Sequence, residues 1–257
     1  FPRIDTKLGE ISLRVDDLSG EVTKKINFSL QKGEILGIAG LMGAGRTELV
    51  KTIYGCFKKT SGKIYIDGKQ VEINSPQEAL KNKIAYVSED RKGDGLLLGL
   101  SVKKNMSLSS LINFENRCKK IDEKKEEIEV KKFISKFNIK TPTMDQLIKN
   151  LSGGNQQKVA IAKALMTNPK ILILDEPTRG VDVGAKKEIY DLINEFKNQG
   201  MSIIIISSEM PEILGLSDRI MVMYDNTITG IFNRKEATQE KIMKCAIGIM
   251  KEELDEN

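Results

Sequence analysis

The sequence predicts an α/β fold: a parallel-sheet core, an antiparallel β subdomain beside it, and a helical subdomain. Three observations carry this prediction. The run Ile35, Leu36, Gly37, Ile38, Ala39 reads as a strand buried on both faces, and a glycine-rich turn and a helix follow it. After Gly154 strands alternate with helices, the order that gives a parallel sheet covered on both sides. Before residue 75, short segments alternate apolar and polar residues, as half-buried strands do.

In chain order, Ile11, Leu13 and Val15 alternate with polar neighbours, as do Ile26, Phe28 and Leu30, and each set predicts a strand. Ile64, Tyr65 and Ile66, between Gly62 and the turn pair Asp67 and Gly68, predict another. Residues 8–74 thus form a mostly antiparallel layer wrapped around strand 35–39, which feeds a helix over 46–54. Ser75 caps a short helix with Pro76 in its first turn. Residues 101–149 are helical in character, with Ile121, Ile128, Phe133, Ile134 and Phe137 at roughly helical spacing. The Lys and Glu clustered over 119–132 read as a solvated helix face. Strand Ile171–Asp175, a helix over 185–198, a strand over 202–207 and strand Arg219–Tyr224 complete the pattern. Pro177 and Pro211 fall just past predicted strands. The expected organisation is one unit over 1–257: core and β layer at about 8–95 and 168–235, helical subdomain at about 96–167, and a C-terminal helix at about 236–257.

At 257 residues the chain buries a core without staples. Its 41 basic and 36 acidic residues are well mixed, so the net charge of +5 makes no nucleic-acid stripe. Cys56, Cys118 and Cys245 are odd in number and far apart, which argues for reduced thiols and against a disulfide framework or a zinc site. No apolar run approaches the ~18 residues of a membrane span. The chain begins Phe1, Pro2, Arg3, which suits a piece of a longer protein.

The chemistry is concentrated at two strand ends. Gly40, Leu41, Met42, Gly43, Ala44, Gly45, Arg46, Thr47 and Glu48 follow a buried strand and open a helix, the context that makes a glycine pattern a phosphate cradle. Glycines let backbone N–H groups turn inward, and the helix N-terminus adds partial positive charge. Thr47 holds the hydroxyl position that ligates Mg²⁺ in such loops. Position 46 is ordinarily lysine. Arginine is longer and forked and holds phosphate from a different place. Asp175 ends an apolar strand, as a metal-binding carboxylate does, and Glu176 stands directly beside it.

Leu151, Ser152, Gly153, Gly154, Asn155, Gln156 and Gln157 stand shortly before that strand, whose end runs Asp175, Glu176, Pro177, Thr178. With the upstream glycine loop, this order resembles the ATPase cassette of ATP-binding cassette transporters, over nearly the whole chain. The resemblance implies a P-loop NTPase core with ATP and Mg²⁺ as ligands. It also implies Thr47 and Asp175 on the metal, Glu176 polarising the attacking water, and Asp182 crossing between paired cassettes. In such pairs residues 151–156 close over the ATP of the partner, with Ser152 donating to its γ-phosphate. Four departures stand around the cassette's own site: Arg46; Glu89 where the family has glutamine, near the metal; Ser208 where it has a switch histidine; and no aromatic residue over 2–27 to stack on adenine. They imply a degenerate site of low activity beside an intact signature loop.

Residues 40–49 with Arg46, the run Ser88, Glu89, Asp90, Arg91, Lys92, the extension Gln156, Gln157, Lys158, and residues 207–212 resemble the second cassette of the tandem ATPases of bacterial monosaccharide importers, ribose-type systems above all. The implied partners are a first cassette upstream on the same polypeptide, a transmembrane permease contacted by residues 89–100, and a sugar-binding protein outside the membrane; no nucleic acid is implied. The expected location is peripheral, on the cytoplasmic face. The competing expectations are a soluble cassette ATPase acting on ribosomes or DNA, and a cassette that senses nucleotide without cleaving it.

Overall fold

The computed structural model describes residues 7–116 and 118–249. In chain order its strands are β1 (Ile11–Gly20), β2 (Ile26–Gln31), β3 (Ile35–Gly40), β4 (Lys59–Ile66), β5 (Lys69–Val71), β6 (Ile84–Val87), β7 (Ile171–Asp175), β8 (Ser202–Ile206), β9 (Arg219–Tyr224) and β10 (Thr227–Asn233). They make two sheets: a four-stranded antiparallel one, β2-β1-β4-β5, and a six-stranded one, β10-β9-β3-β8-β7-β6. In the larger sheet all pairs are parallel except β9 with β10.

The buried strands explain themselves through their two faces. Ile203 and Ile205 of β8 join one apolar cluster, and Ile204 and Ile206 join the cluster on the opposite side. A strand covered on both faces needs no polar alternation, which is why β3, β7 and β8 read as unbroken apolar runs. Fully burying one such isoleucine is worth roughly 1.5–3 kcal/mol. The antiparallel layer alternates instead. Leu13 stands opposite Leu30 and Ile66, Val15 opposite Phe28 and Ile64, and all six turn toward the large sheet.

Eight α-helices cover the sheets among the described residues: α1 (Arg46–Ile53), α2 (Pro76–Lys81), α3 (Val102–Ser107), α4 (Glu123–Lys136), α5 (Gly153–Leu165), α6 (Val183–Asn198), α7 (Met210–Leu216) and α8 (Gln239–Ala246). The cap at α2 is as predicted. Ser75 accepts from the Glu78 N–H, and the Glu78 carboxylate accepts from the Asn74 N–H, an arrangement worth about 1 kcal/mol. The last predicted helix appears as α8, and its extension over 250–257 lies outside the described residues.

The helical region corrects the sequence reading. Ile121 lies before α4, and Ile128 is 68% exposed on its outer face. The inward stripe is Glu126, Val130, Phe133 and Phe137. A buried glutamate disguises that stripe: the Glu126 carboxylate accepts from the Ser107 hydroxyl at 2.5 Å. The charged outer face of α4 is as expected. The elements β5, β6, α7 and β10 were absent from the predicted pattern. Among the described residues no helix is long and apolar enough to cross a membrane.

Candidate functional site

At the end of β3 the chain makes its tightest turn. Gly43 and Gly45 take positive φ angles of 80° and 92°, which side chains resist. Gly45 has a second reason to lack a Cβ: one would sit 2.4 Å from the Asn226 side-chain oxygen. Asn226 belongs to the β9–β10 turn, and its N–H donates to the Ala44 carbonyl at 3.0 Å. Its own carbonyl accepts from the Lys24 N–H at 3.1 Å. The hairpin thus braces the phosphate turn from behind, a contact the glycine pattern did not announce. Consecutive positive-φ Asp225 and Asn226 are the signal that marks it.

The turn opens a cavity of about 570 Å³ lined by residues 40–48, Glu89, Glu176, Arg179, Gly180, Ser208 and Glu209. Distant parts of the sequence meet here. Glu176 sits one residue past β7 with φ of +47°, and its N–H donates to the Ile206 carbonyl at 2.9 Å. One carboxylate oxygen accepts from the Ser208 hydroxyl at 3.1 Å, and the other stands 3.9 Å from an Arg46 guanidinium nitrogen. Arg46 also donates to the Ser207 carbonyl at 3.0 Å. Position 208, where a switch histidine was expected, therefore touches Glu176 through a hydroxyl instead of an imidazole.

Asp175 lies deeper and is fully buried. Its Oδ2 accepts from the Tyr86 hydroxyl at 3.0 Å, and the Thr47 hydroxyl lies against the same carboxyl group. Oδ1 has no well-aligned hydrogen-bond partner among the described residues. Burial pushes the Asp175 pKa up, against the pull of Thr47, Tyr86 and Arg46. A buried carboxylate with an orphaned oxygen beside a threonine hydroxyl fits a hard cation. Among the described residues no three His, Cys, Asp or Glu gather into a cage. Mg²⁺ needs none where phosphates and water complete its shell. Tyr86, not singled out beforehand, is the residue that orients Asp175. Its phenol is held against Tyr54, ring centroids 5.4 Å apart.

Glu89 lines the cavity, but its carboxylate pairs with the Arg179 guanidinium and is not free for a metal in this arrangement. Glu48 lies in the first turn of α1, where an acidic side chain complements the helix dipole, and it lines the same cavity. Asp182 caps α6, accepting from the Ala185 N–H at 3.0 Å.

The loop at 151–156 is elsewhere: none of its residues lines the cavity. Ser152 caps α5, accepting from the Asn155 side-chain amide at 2.9 Å, while Asn155 accepts from the Lys140 N–H at 2.8 Å. Ser152 is exposed, and Gly153 and Asn155 are half-buried. Leu151 and Gln156 depart from expectation, because both turn inward. Leu151 packs into the core, and the Gln156 amide donates to the Ile148 and Leu151 carbonyls at 3.2 and 3.1 Å. They shape the loop from below.

A single side chain connects these parts. Arg91 starts a π turn, Arg91–Gly95, and donates to the Arg179 carbonyl at 2.9 Å and the Gly180 carbonyl at 3.4 Å. It also reaches the Gln157 side chain of α5 at 3.4 Å. The far side of that turn lines a groove of about 610 Å³, together with Lys51, Tyr54, Cys56, Tyr86 and Lys163.

A family model described as ABC transporter matches residues 23–179. The chain is similar to cbiO1 from Clostridium perfringens, part of the ABC transporter complex cbiONQ, at 27% identity over 96% of this chain and 100% of that one, with a TM-score of 0.73. It is similar to a nucleotide-free ATP-binding cassette from an ABC transporter at 25% identity over 93% and 99%, with a TM-score of 0.77. A dimeric cassette in a post-hydrolysis state bound to ADP and Pi shares the fold at 23% identity over 86% and 98%, with a TM-score of 0.73.

Proposed function

Because the chain belongs to the ABC transporter family and matches its ATP-binding cassettes, we propose that it energises a bacterial monosaccharide importer of the ribose type, as the second cassette of a tandem ATPase. Cassettes of this family bind ATP with Mg²⁺, work as dimers and act with transmembrane permease components.

One observation carries the reading: the chemistry is split between two places on the chain. The phosphate turn, Glu176 and Ser208 share one cavity, while Ser152 and the N-terminus of α5 are not part of its lining. A chain so divided completes a γ-phosphate site only with a second cassette set head to tail. In that pair residues 40–45 cradle the phosphates, Thr47 and Asp175 hold the metal, and Glu176 orients the attacking water. Bound Mg²⁺ supplies charge neutralisation at the terminal phosphates. Ser152 donates to the γ-phosphate of the companion's ATP, with the positive end of α5 behind it, and Asp182 reaches across the pair. Arg46, Glu89, Ser208 and the absence of an aromatic platform over 2–27 make this chain's own site the slower of the two.

The sugar assignment rests on the particular residues 88–92, 156–158 and 207–212, which resemble that subgroup. The groove beside Gly93, Asp94 and Gly95 receives the permease, a sugar-binding protein acts outside, and the chain sits on the cytoplasmic face of the membrane.

The test is turnover of Mg-ATP by the chain with and without its companion cassette. Alone, the chain is expected to hydrolyse very slowly, and the pair should restore turnover. Ser152→Arg should then lower turnover at the companion's site by about 10²–10³-fold, the cost of losing a transition-state donor. Unchanged turnover in that variant would remove the signature role.

A further inference from the structure

The residue at position 46 does something in this fold that a lysine could not. Its guanidinium reaches the floor of the cavity, where it donates to the Ser207 carbonyl at 3.0 Å and faces Glu176 at 3.9 Å. The Arg46 side chain is 12% exposed and that of Glu176 9%, while Met42 in the same loop is 98% exposed. Arg46 is therefore folded beneath the loop instead of lying over it. The other cations around the cavity have other partners: Arg179 pairs with Glu89, and Lys186 with Glu209.

Glu176 is held from both sides. One oxygen faces Arg46 and the other accepts from Ser208. Its backbone, at φ of +47° with the N–H tied to the Ile206 carbonyl, leaves it little room to turn away.

We propose that Arg46 is a nucleotide-released latch on Glu176: in the empty chain it holds the water-orienting carboxylate, and an arriving triphosphate draws it off. The proposal rests on the nucleotide reading above. A triphosphate in the glycine turn brings several negative charges beside the N-terminus of α1, and the guanidinium fork matches phosphate oxygens in pairs. An Arg46 fork drawn onto the phosphates gives up the Ser207 carbonyl and the Glu176 carboxylate that it now faces. Binding thus breaks two contacts before it makes its own. Nucleotide pays for the opening, and apparent affinity falls by the fraction of molecules still latched. Arg46 is in this sense a positioning residue for Glu176, and the substitution that weakens the site also keeps its acid engaged until nucleotide arrives.

The experiment uses the full chain, with Mg-ATP titrated by calorimetry and the melting temperature of the nucleotide-free protein measured alongside. Arg46→Lys carries the charge on a shorter stem with no fork, so it loses the latch and keeps a phosphate partner. It should bind Mg-ATP about tenfold more tightly, as expected if the latch holds about nine molecules in ten. Its nucleotide-free melting temperature should drop by about 2–4 °C. Arg46→Gln should lose the same stability and gain no affinity. The opposite signs in the lysine variant are what a merely structural arginine would not give. Equal or weaker Mg-ATP binding by Arg46→Lys, with the wild-type chain binding normally, overturns the latch alone. Failure of the wild-type chain and both variants to bind Mg-ATP overturns the nucleotide reading and the latch with it.

Discussion

Asp175 shows how a residue made for a ligand weighs on the empty fold. Burial raises its pKa, so the ionised form of the carboxylate opposes folding, and Oδ1 has no well-aligned hydrogen-bond partner among the described residues to compensate. Asp175→Asn removes the charge and keeps an acceptor for Tyr86. The nucleotide-free protein should melt about 2–4 °C higher, the shift that ~1 kcal/mol gives in a chain this long. The gain belongs to the range above ordinary carboxylate values, and it disappears as pH falls below them, where folded and unfolded chains are both protonated. The same variant should lose the extra stability that Mg-ATP confers on the wild type. Scanning calorimetry with and without Mg-ATP reads both effects, and a variant that is both less stable and still stabilised by Mg-ATP would contradict the metal assignment. Residues 40–48, 175 and 176 were legible in sequence because each sits at a strand end whose chemistry is local. Tyr86 and Asn226 were not, because their roles exist only once β6 lies beside β7 and the β9–β10 turn lies behind the phosphate loop.

At the scale of elements, α5 and α6 meet at a point that tolerates no extra atom. A Cβ on Gly154 would stand 2.7 Å from the Cβ of Ala185. Gly154→Ala should therefore destabilise the chain by about 1–3 kcal/mol through overpacking, read as a lower urea midpoint at unchanged slope. Adding Ala185→Gly should recover part of that loss, and a double variant no better than the sum of the two singles would show that the contact is not the cause. Element prediction succeeded where period and burial agreed, as in β3, β7 and β8. It missed β10 because Gly230 breaks the alternation where the register shifts between Ile228 and Gly230. It missed α7, seven residues with a proline in second place, because so short a helix shows too little period. The inward stripe of α4 was misplaced by a glutamate that the sequence reads as surface and the fold holds inside.

Across the whole molecule, two surfaces await company. Cys56 is exposed at the groove assigned to the permease, Cys118 is exposed elsewhere, and Cys245 is buried. In a Cys118→Ser chain, maleimide should label Cys56 readily when the chain is free and several-fold more slowly in the assembled transporter. Equal rates would move the permease contact away from the groove. The overall architecture was readable because alternating strands and helices leave few topologies open. The separation of the 151–156 loop from the cavity was expected from the family resemblance alone, since chain order carries no direction in space. Between groove and cavity stands Arg91, which starts the turn that lines one and is hydrogen-bonded to the wall of the other. A tug on its turn is thereby delivered to the nucleotide wall through one guanidinium, like a tie-rod that carries load past the frame, and the sheet between them need not bend for the message to arrive.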